Sequence, residues 1–106
     1  MKDLLLNSVY GEIVMKRIED CEITHHAEVR MQQRGVSADA VSVILKYGRR
    51  KHTRDGAMSL FCTRRQIKKL RGHLGAAVFR GVEKSLANTY VIQSNSGQVL
   101  TVAKRH

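Results

Sequence analysis

The 106-residue sequence predicts an α+β domain, with helices of the first half packed on a small antiparallel sheet drawn from the second. Three observations carry that reading. Two helical segments, each headed by a capping hydroxyl, meet across Gly35. Two alternating segments separated by a short polar turn close the chain. Hydrophobic residues make up 42% and charged residues 26%, an ordinary globular balance, so a core forms despite a formal net charge of +10.

The length suits one domain with one modest core. Residues 1–22 read as an N-terminal extension to a core of residues 24–106. Within the extension, Val9, Ile13, Val14 and Ile18 recur near helical spacing and predict an amphipathic helix, with a strand as the alternative over its second half. Thr24 is a fitting N-cap for a helix over 25–34, and Gly35 its C-terminal stop. Ser37 caps a second helix with Asp39 in its first turn, where a carboxylate complements the helix dipole. Val41, Ile44 and Leu45 form its buried face, and Gly48 ends it. Residues 49–54 form a basic connector to the turn pair Asp55-Gly56.

Residues 57–62 predict a short strand, and Thr63 caps a third helix to about Leu74, with Ile67, Leu70 and Leu74 inward. Residues 76–83 are ambiguous, with a strand suggested around Ala77-Val78-Phe79. Residues 89–93 and 98–103 read as strands joined by Ser94-Asn95-Ser96-Gly97, a length that suits a hairpin. Aromatics are only 5% of the chain, without tryptophan, so the core rests on Val, Ile, Leu, Met and Ala.

Charge is unevenly placed. Residues 1–28 hold six carboxylates against three lysines and arginines, a net of −3, whereas the remainder holds 16 basic residues against three acids, a net of +13. A sequence pI near 10.2 with charge concentrated this way is the footprint of a polyanion partner, above all RNA. A merely solvated surface, or one balanced by an acidic protein, is the alternative. Two dense groups stand out: Lys46, Arg49, Arg50, Lys51 and Arg54, then Arg64, Arg65, Lys68, Lys69 and Arg71. Such groups bind phosphate without reading sequence. Tyr10, Tyr47, Phe61, Phe79 and Tyr90 have rings that can stack on bases, but core packing explains most of them more simply.

Other classes find little support. No run approaches the roughly 18 apolar residues of a membrane helix. The opening Leu4-Leu5-Leu6 is too short for a secretory core, so a cytoplasmic protein is expected. Cys21 and Cys62 lack metal-ligand spacing and read as two free thiols. Neither a metal site nor a cofactor-binding glycine loop is expected.

The sharpest local feature is the spacing of His26, Arg30 and Arg34 at i, i+4 and i+8, which lines one helical ridge beside the apolar positions Ala27 and Met31. Guanidinium groups bind phosphate in bidentate fashion and stabilise charge building on phosphorus. An imidazole transfers protons near neutral pH. RNA brings its own 2′-hydroxyl nucleophile, so such a ridge needs no metal to cleave it. The simpler reading is a solvated face.

The stretch Thr24-His25-His26-Ala27-Glu28-Val29-Arg30-Met31-Gln32-Gln33-Arg34-Gly35-Val36-Ser37 resembles the opening signature of a widespread bacterial domain family: His-Ala, Arg-Met, then Arg-Gly-(Ile/Val)-Ser. The closing hairpin around residues 97–102 resembles that family's last two strands. The family is grouped with the RelE- and BrnT-like toxins, small basic ribonucleases neutralised by antitoxin proteins. The resemblance covers residues 24–48 well and 89–105 more loosely. It implies a RelE-like fold for the 24–106 core, a metal-independent endoribonuclease, an acidic antitoxin partner, and His26, Arg30, Arg34 and Thr101 as catalytic residues. The basic helix at 64–71 reads as an insertion relative to the family pattern. A non-catalytic nucleic-acid-binding or protein-interaction module is the alternative, and the acidic extension could fold over the basic surface to restrain it.

Overall fold

A computed structural model describes residues 14–105. Six strands and four helices follow in the order β1 (Val14–Ile18), β2 (Cys21–Thr24), α1 (His25–Arg34), α2 (Ala38–Tyr47), β3 (Arg49–His52), β4 (Met58–Phe61), α3 (Arg64–Leu74), α4 (Ala76–Asn88), β5 (Thr89–Gln93) and β6 (Val99–Lys104). They form one mixed sheet of order β1-β2-β6-β5-β4-β3. Neighbours are antiparallel except β2 and β6, which run parallel where Ile23 pairs with Val99.

The α+β class holds, with two amendments. The sheet is mixed, because the chain leaves β2 through the helices and returns beside it only in β6. Two of the four helices, α3 and α4, lie in the second half of the chain.

The capping signals operate as physics requires. The Thr24 hydroxyl accepts from the Ala27 amide at 3.1 Å, Ser37 from Ala40 at 3.1 Å, and Thr63 from Gln66 at 3.2 Å. Each satisfies an amide that the first helical turn leaves orphaned. The Gln66 side chain closes a capping box by accepting from the Thr63 amide at 2.8 Å. Gly35 ends α1 at φ +64°, the left-handed region, where its amide reaches Gln32 and that of Val36 reaches Met31. Gly48 answers a different demand: a Cβ there would collide with the Ile44 carbonyl oxygen.

Three expectations change. Residues 14–24 are a hairpin rather than a helix; the expected Val9 and Ile13 positions lie outside the described residues. The turn of that hairpin places Glu19 and Asp20 at φ +51° and +62°, the geometry of a type I′ turn. The Ser42 hydroxyl donates to Glu19 at 2.6 Å and Arg17 donates to the Asp20 carbonyl at 2.9 Å, so side chains secure a turn that carries no glycine. Residues 49–52 are an edge strand rather than a connector. Residues 76–88 are helix, burying Phe79, Val82 and Leu86 at i, i+3 and i+7. The exposed Val78 shows why the short apolar run misleads: only one of its large side chains faces the core.

One core collects Ala27 and Met31 of α1, Val41 and Ile44 of α2, Leu70 of α3, and Phe79, Val82 and Leu86 of α4. Against them lie Ile23, Leu60, Val91, Val99 and Val102 of the sheet. Alternation along the strands therefore assigns one sheet face to the helices. Phe61, Tyr90, Ile92 and Thr101, on the intervening positions, stand outside this core and are half-buried. No helix long and apolar enough to cross a membrane occurs among the described residues.

Candidate nucleic-acid interface

All ten cations of the two dense groups, Lys46, Arg49, Arg50, Lys51, Arg54, Arg64, Arg65, Lys68, Lys69 and Arg71, are exposed. None forms an ion pair with a described carboxylate; the pair Arg17–Glu22, at 3.7 Å, lies in the acidic hairpin instead. Arg50 of the first group donates a hydrogen bond to Gln93 at 3.2 Å.

The fold joins the two groups through Tyr47. The Gln66 amide nitrogen donates to the Tyr47 carbonyl at 2.9 Å. The Tyr47 hydroxyl lies 3.0 Å from Nε2 of His73, and the two rings meet edge to face at 5.3 Å. These bonds seat the end of α2 against α3. Lys46 lies over the Tyr47 ring at 5.4 Å. Tyr47, Gln66, Lys69, Leu70 and His73 line a pocket of about 270 Å³ at the junction. Lys46 of the first group and Lys69 of the second thus meet at one junction.

On α3, Ile67, Leu70 and Leu74 face inward and Gln66 and His73 face Tyr47. The remaining arc carries Arg64, Arg65, Lys68 and Arg71 into solvent. Arg71 crosses to α4, its guanidinium 5.6 Å from the Phe79 ring centre. A polar helix of this kind is held by one narrow apolar stripe, which leaves its other faces available for a charged partner.

The α1 ridge is present as spaced. His26 is exposed and Arg30 and Arg34 are half-buried. Arg30 donates to Gln33 at 3.4 Å. The Arg34 Nε is buried and finds no hydrogen-bond acceptor among the described residues. Thr101 sits on β6, the strand against which α1 packs. It pairs with Ile92, opposite to the core-facing Val102, so its hydroxyl turns away from the core entered by Ala27 and Met31. No hydrogen bond among the described residues joins Thr101 to the ridge.

Cys21 and Cys62 are free thiols. Burial pushes the Cys62 thiol up to about 11, against a smaller opposing pull from Arg105. Asp55, in the β3–β4 turn, accepts from the Thr53 hydroxyl at 2.6 Å, which lowers its carboxyl below the ordinary value.

The five candidate stacking rings separate clearly. Phe79 is core, Tyr47 is half-buried at the α2–α3 junction, and Tyr10 lies outside the described residues. Phe61 and Tyr90 are cross-strand partners on the sheet face turned away from the described helices. Strand register, invisible before the sheet order is known, is the signal that sets these two apart.

Compared with protein-family models, curated proteins and solved structures, the chain finds no match in any of the three.

Proposed function

We propose that this protein binds RNA through the surface built by the end of α2, the edge strand β3 and the outer faces of α3. The observation that carries this reading is the exposure of all ten cations without a described carboxylate to neutralise them. Crowded like charge destabilises a compact chain by self-repulsion, and a polyanion relieves it by releasing its own condensed counterions. The Tyr47–His73 and Tyr47–Gln66 bonds support the reading, because they set Lys46, over the Tyr47 ring, and Lys69, in the wall of the same pocket, at one junction. An acidic protein, such as an antitoxin, would compete for the same cations. Equilibrium binding to a labelled unstructured RNA over a salt series tests the proposal: affinity should fall steeply and linearly in log-log form. Binding indifferent to salt would refute it.

A second reading, a RelE/BrnT-like endoribonuclease of toxin type, is favoured by the α1 ridge with its unmet Arg34 Nε donor. In that reading the 2′-hydroxyl attacks phosphorus and the bond to the 5′-oxygen breaks. Arg30 and Arg34 bind the non-bridging oxygens, and His26 moves the proton. The products are a 2′,3′-cyclic phosphate and a 5′-hydroxyl. Incubation with RNA in excess EDTA, beside the His26/Arg30/Arg34 triple-alanine variant, is the test. Fragments from the wild type alone support the roles, and equal cleavage by both proteins removes them.

A further inference from the structure

The face of the sheet turned away from the helices carries two cross-strand rows. Register places Arg49, Phe61, Tyr90 and Ala103 in one, and Lys51, Ser59, Ile92 and Thr101 in the other. The helix-side core takes Leu60, Val91 and Val102 from the same strands, and among the described residues no helix buries side chains on this second face. Phe61 and Tyr90 are directly opposite each other, a spacing at which Cβ atoms stand about 5 Å apart. Their neighbours Ser59, Thr101 and Ala103 are small, so the two rings are the largest groups there apart from Ile92 and the flanking cations.

A third planar group joins them. The Arg105 guanidinium lies 4.7 Å from the centre of the Phe61 ring and is oriented by donating to the Cys62 carbonyl at 3.1 Å. The Arg105 backbone is also fixed, its amide donating to Asn88 at 2.7 Å. Tyr90 is half-buried, so part of its ring is open to solvent. Arg49 and Lys51 at the β3 edge, with Arg105 just past β6, flank the rings with exposed positive charge.

We propose that this face is a stacking platform for single-stranded RNA. Successive bases lie on Tyr90 and on the composite Phe61–Arg105 surface, while Arg49 and Lys51 take the phosphates. The proposal rests on the RNA-binding reading and specifies which form of RNA the protein takes. Ring faces accept any unpaired base, and flanking cations supply the electrostatic part of affinity. A duplex keeps its bases stacked on one another and offers this face only phosphates.

The test uses the full chain, a labelled unstructured RNA of about 12 nucleotides, within the span such platforms cover, and a hairpin duplex. The wild type should bind the single strand more tightly than the duplex. Phe61→Leu and Tyr90→Leu should each weaken single-strand binding about tenfold, as loss of one stacked base implies, and leave duplex binding unchanged. Tyr90→Phe should retain single-strand affinity, because the ring and not the hydroxyl does the stacking. Circular dichroism and a thermal melt identify any variant that fails to fold; Tyr90→Phe against Tyr90→Leu then carries the test at the more conservative position. Undiminished binding by both leucine variants, with the wild type still bound, overturns the platform and spares the RNA-binding reading. Absence of wild-type binding to either RNA overturns both.

Discussion

The Tyr47 hydroxyl lies 3.0 Å from Nε2 of His73, tying the last residue of α2 to the final turns of α3. Through this pairing a helix that is almost wholly polar on its surface acquires a fixed place on the fold, and the cations at Lys46 and Lys69 come to the same side. Tyr47→Phe removes the hydrogen bond and keeps the ring packing. It should lower unfolding stability by about 0.5–1 kcal/mol, since the pair is solvent-accessible. His73→Ala should cost a similar amount, and the double variant little more than either single one. Urea midpoints of the three variants measure the coupling; fully additive losses would mean the two side chains act independently.

Thr24 occupies the junction between β2 and α1 and uses both capacities of its hydroxyl. It accepts from the Ala27 amide and donates to the Leu100 carbonyl of β6 at 3.3 Å, in a fully buried setting. Thr24→Ser keeps both bonds and should be well tolerated. Thr24→Val keeps the shape but loses them, leaving a buried amide and carbonyl unmet, and should cost about 2–3 kcal/mol. Equal stability of the serine and valine variants would show that the hydroxyl contributes nothing.

Glycines with opposite roles give a second stability test. Gly48→Ala drives a methyl group into the Ile44 carbonyl and should be strongly destabilising. Gly81 lies within α4 with open space around its missing Cβ, so Gly81→Ala should stabilise by about 0.5–1 kcal/mol through helix propensity and reduced unfolded-state entropy. Thermal melts should move the two variants in opposite directions.

Much of this architecture was legible in the sequence, and the limits have physical causes. Thr24, Ser37 and Thr63 each announced a helix because a capping hydroxyl is a local interaction between residues three apart. The β1–β2 hairpin was hidden because its turn uses Glu19 and Asp20 at positive φ, supported by Ser42 from another element rather than by glycine. Helix α4 was missed although Phe79, Val82 and Leu86 have helical spacing, because Gly75 and Gly81 punctuate it and Ala77-Val78-Phe79 imitates a strand. Edge strand β3 reads as a charged connector, since Arg49 and Lys51 have no apolar alternation, and charge is what guards an exposed edge. Of the candidate site, the cationic residues and the α1 ridge were visible locally. The pairing of Phe61 with Tyr90 and the docking of Tyr47 on α3 depend on long-range register and were not.

Cys62 offers a pH-dependent prediction. Its folded-state value is raised to about 11 by burial, so folding favours the protonated thiol. The unfolded chain ionises first as pH rises, and therefore binds fewer protons than the folded chain through the interval. The contribution is fully present below the unfolded value and fades as pH climbs toward 11. Cys62→Ala should abolish that component: the stability difference between wild type and variant should shrink between about pH 8 and about pH 10.5. A difference constant across this range would contradict the assignment. In the same fold, the Cys62 thiol should alkylate slowly near neutral pH and rapidly after denaturation.

The most direct test of the central claim compares wild type with a Lys46/Arg65/Lys68/Lys69/Arg71 five-glutamine variant for binding a labelled unstructured RNA across a potassium chloride series. These side chains are exposed, and only Arg71 reaches a core ring, at Phe79, so the variant should keep its circular dichroism and melt within a few degrees of the wild type. The account predicts weaker binding and a log-log salt slope shallower by about 0.7 for each phosphate the variant no longer neutralises. An unchanged affinity and slope in the folded variant would contradict it, and would remove the α2–α3 surface as the site of RNA recognition.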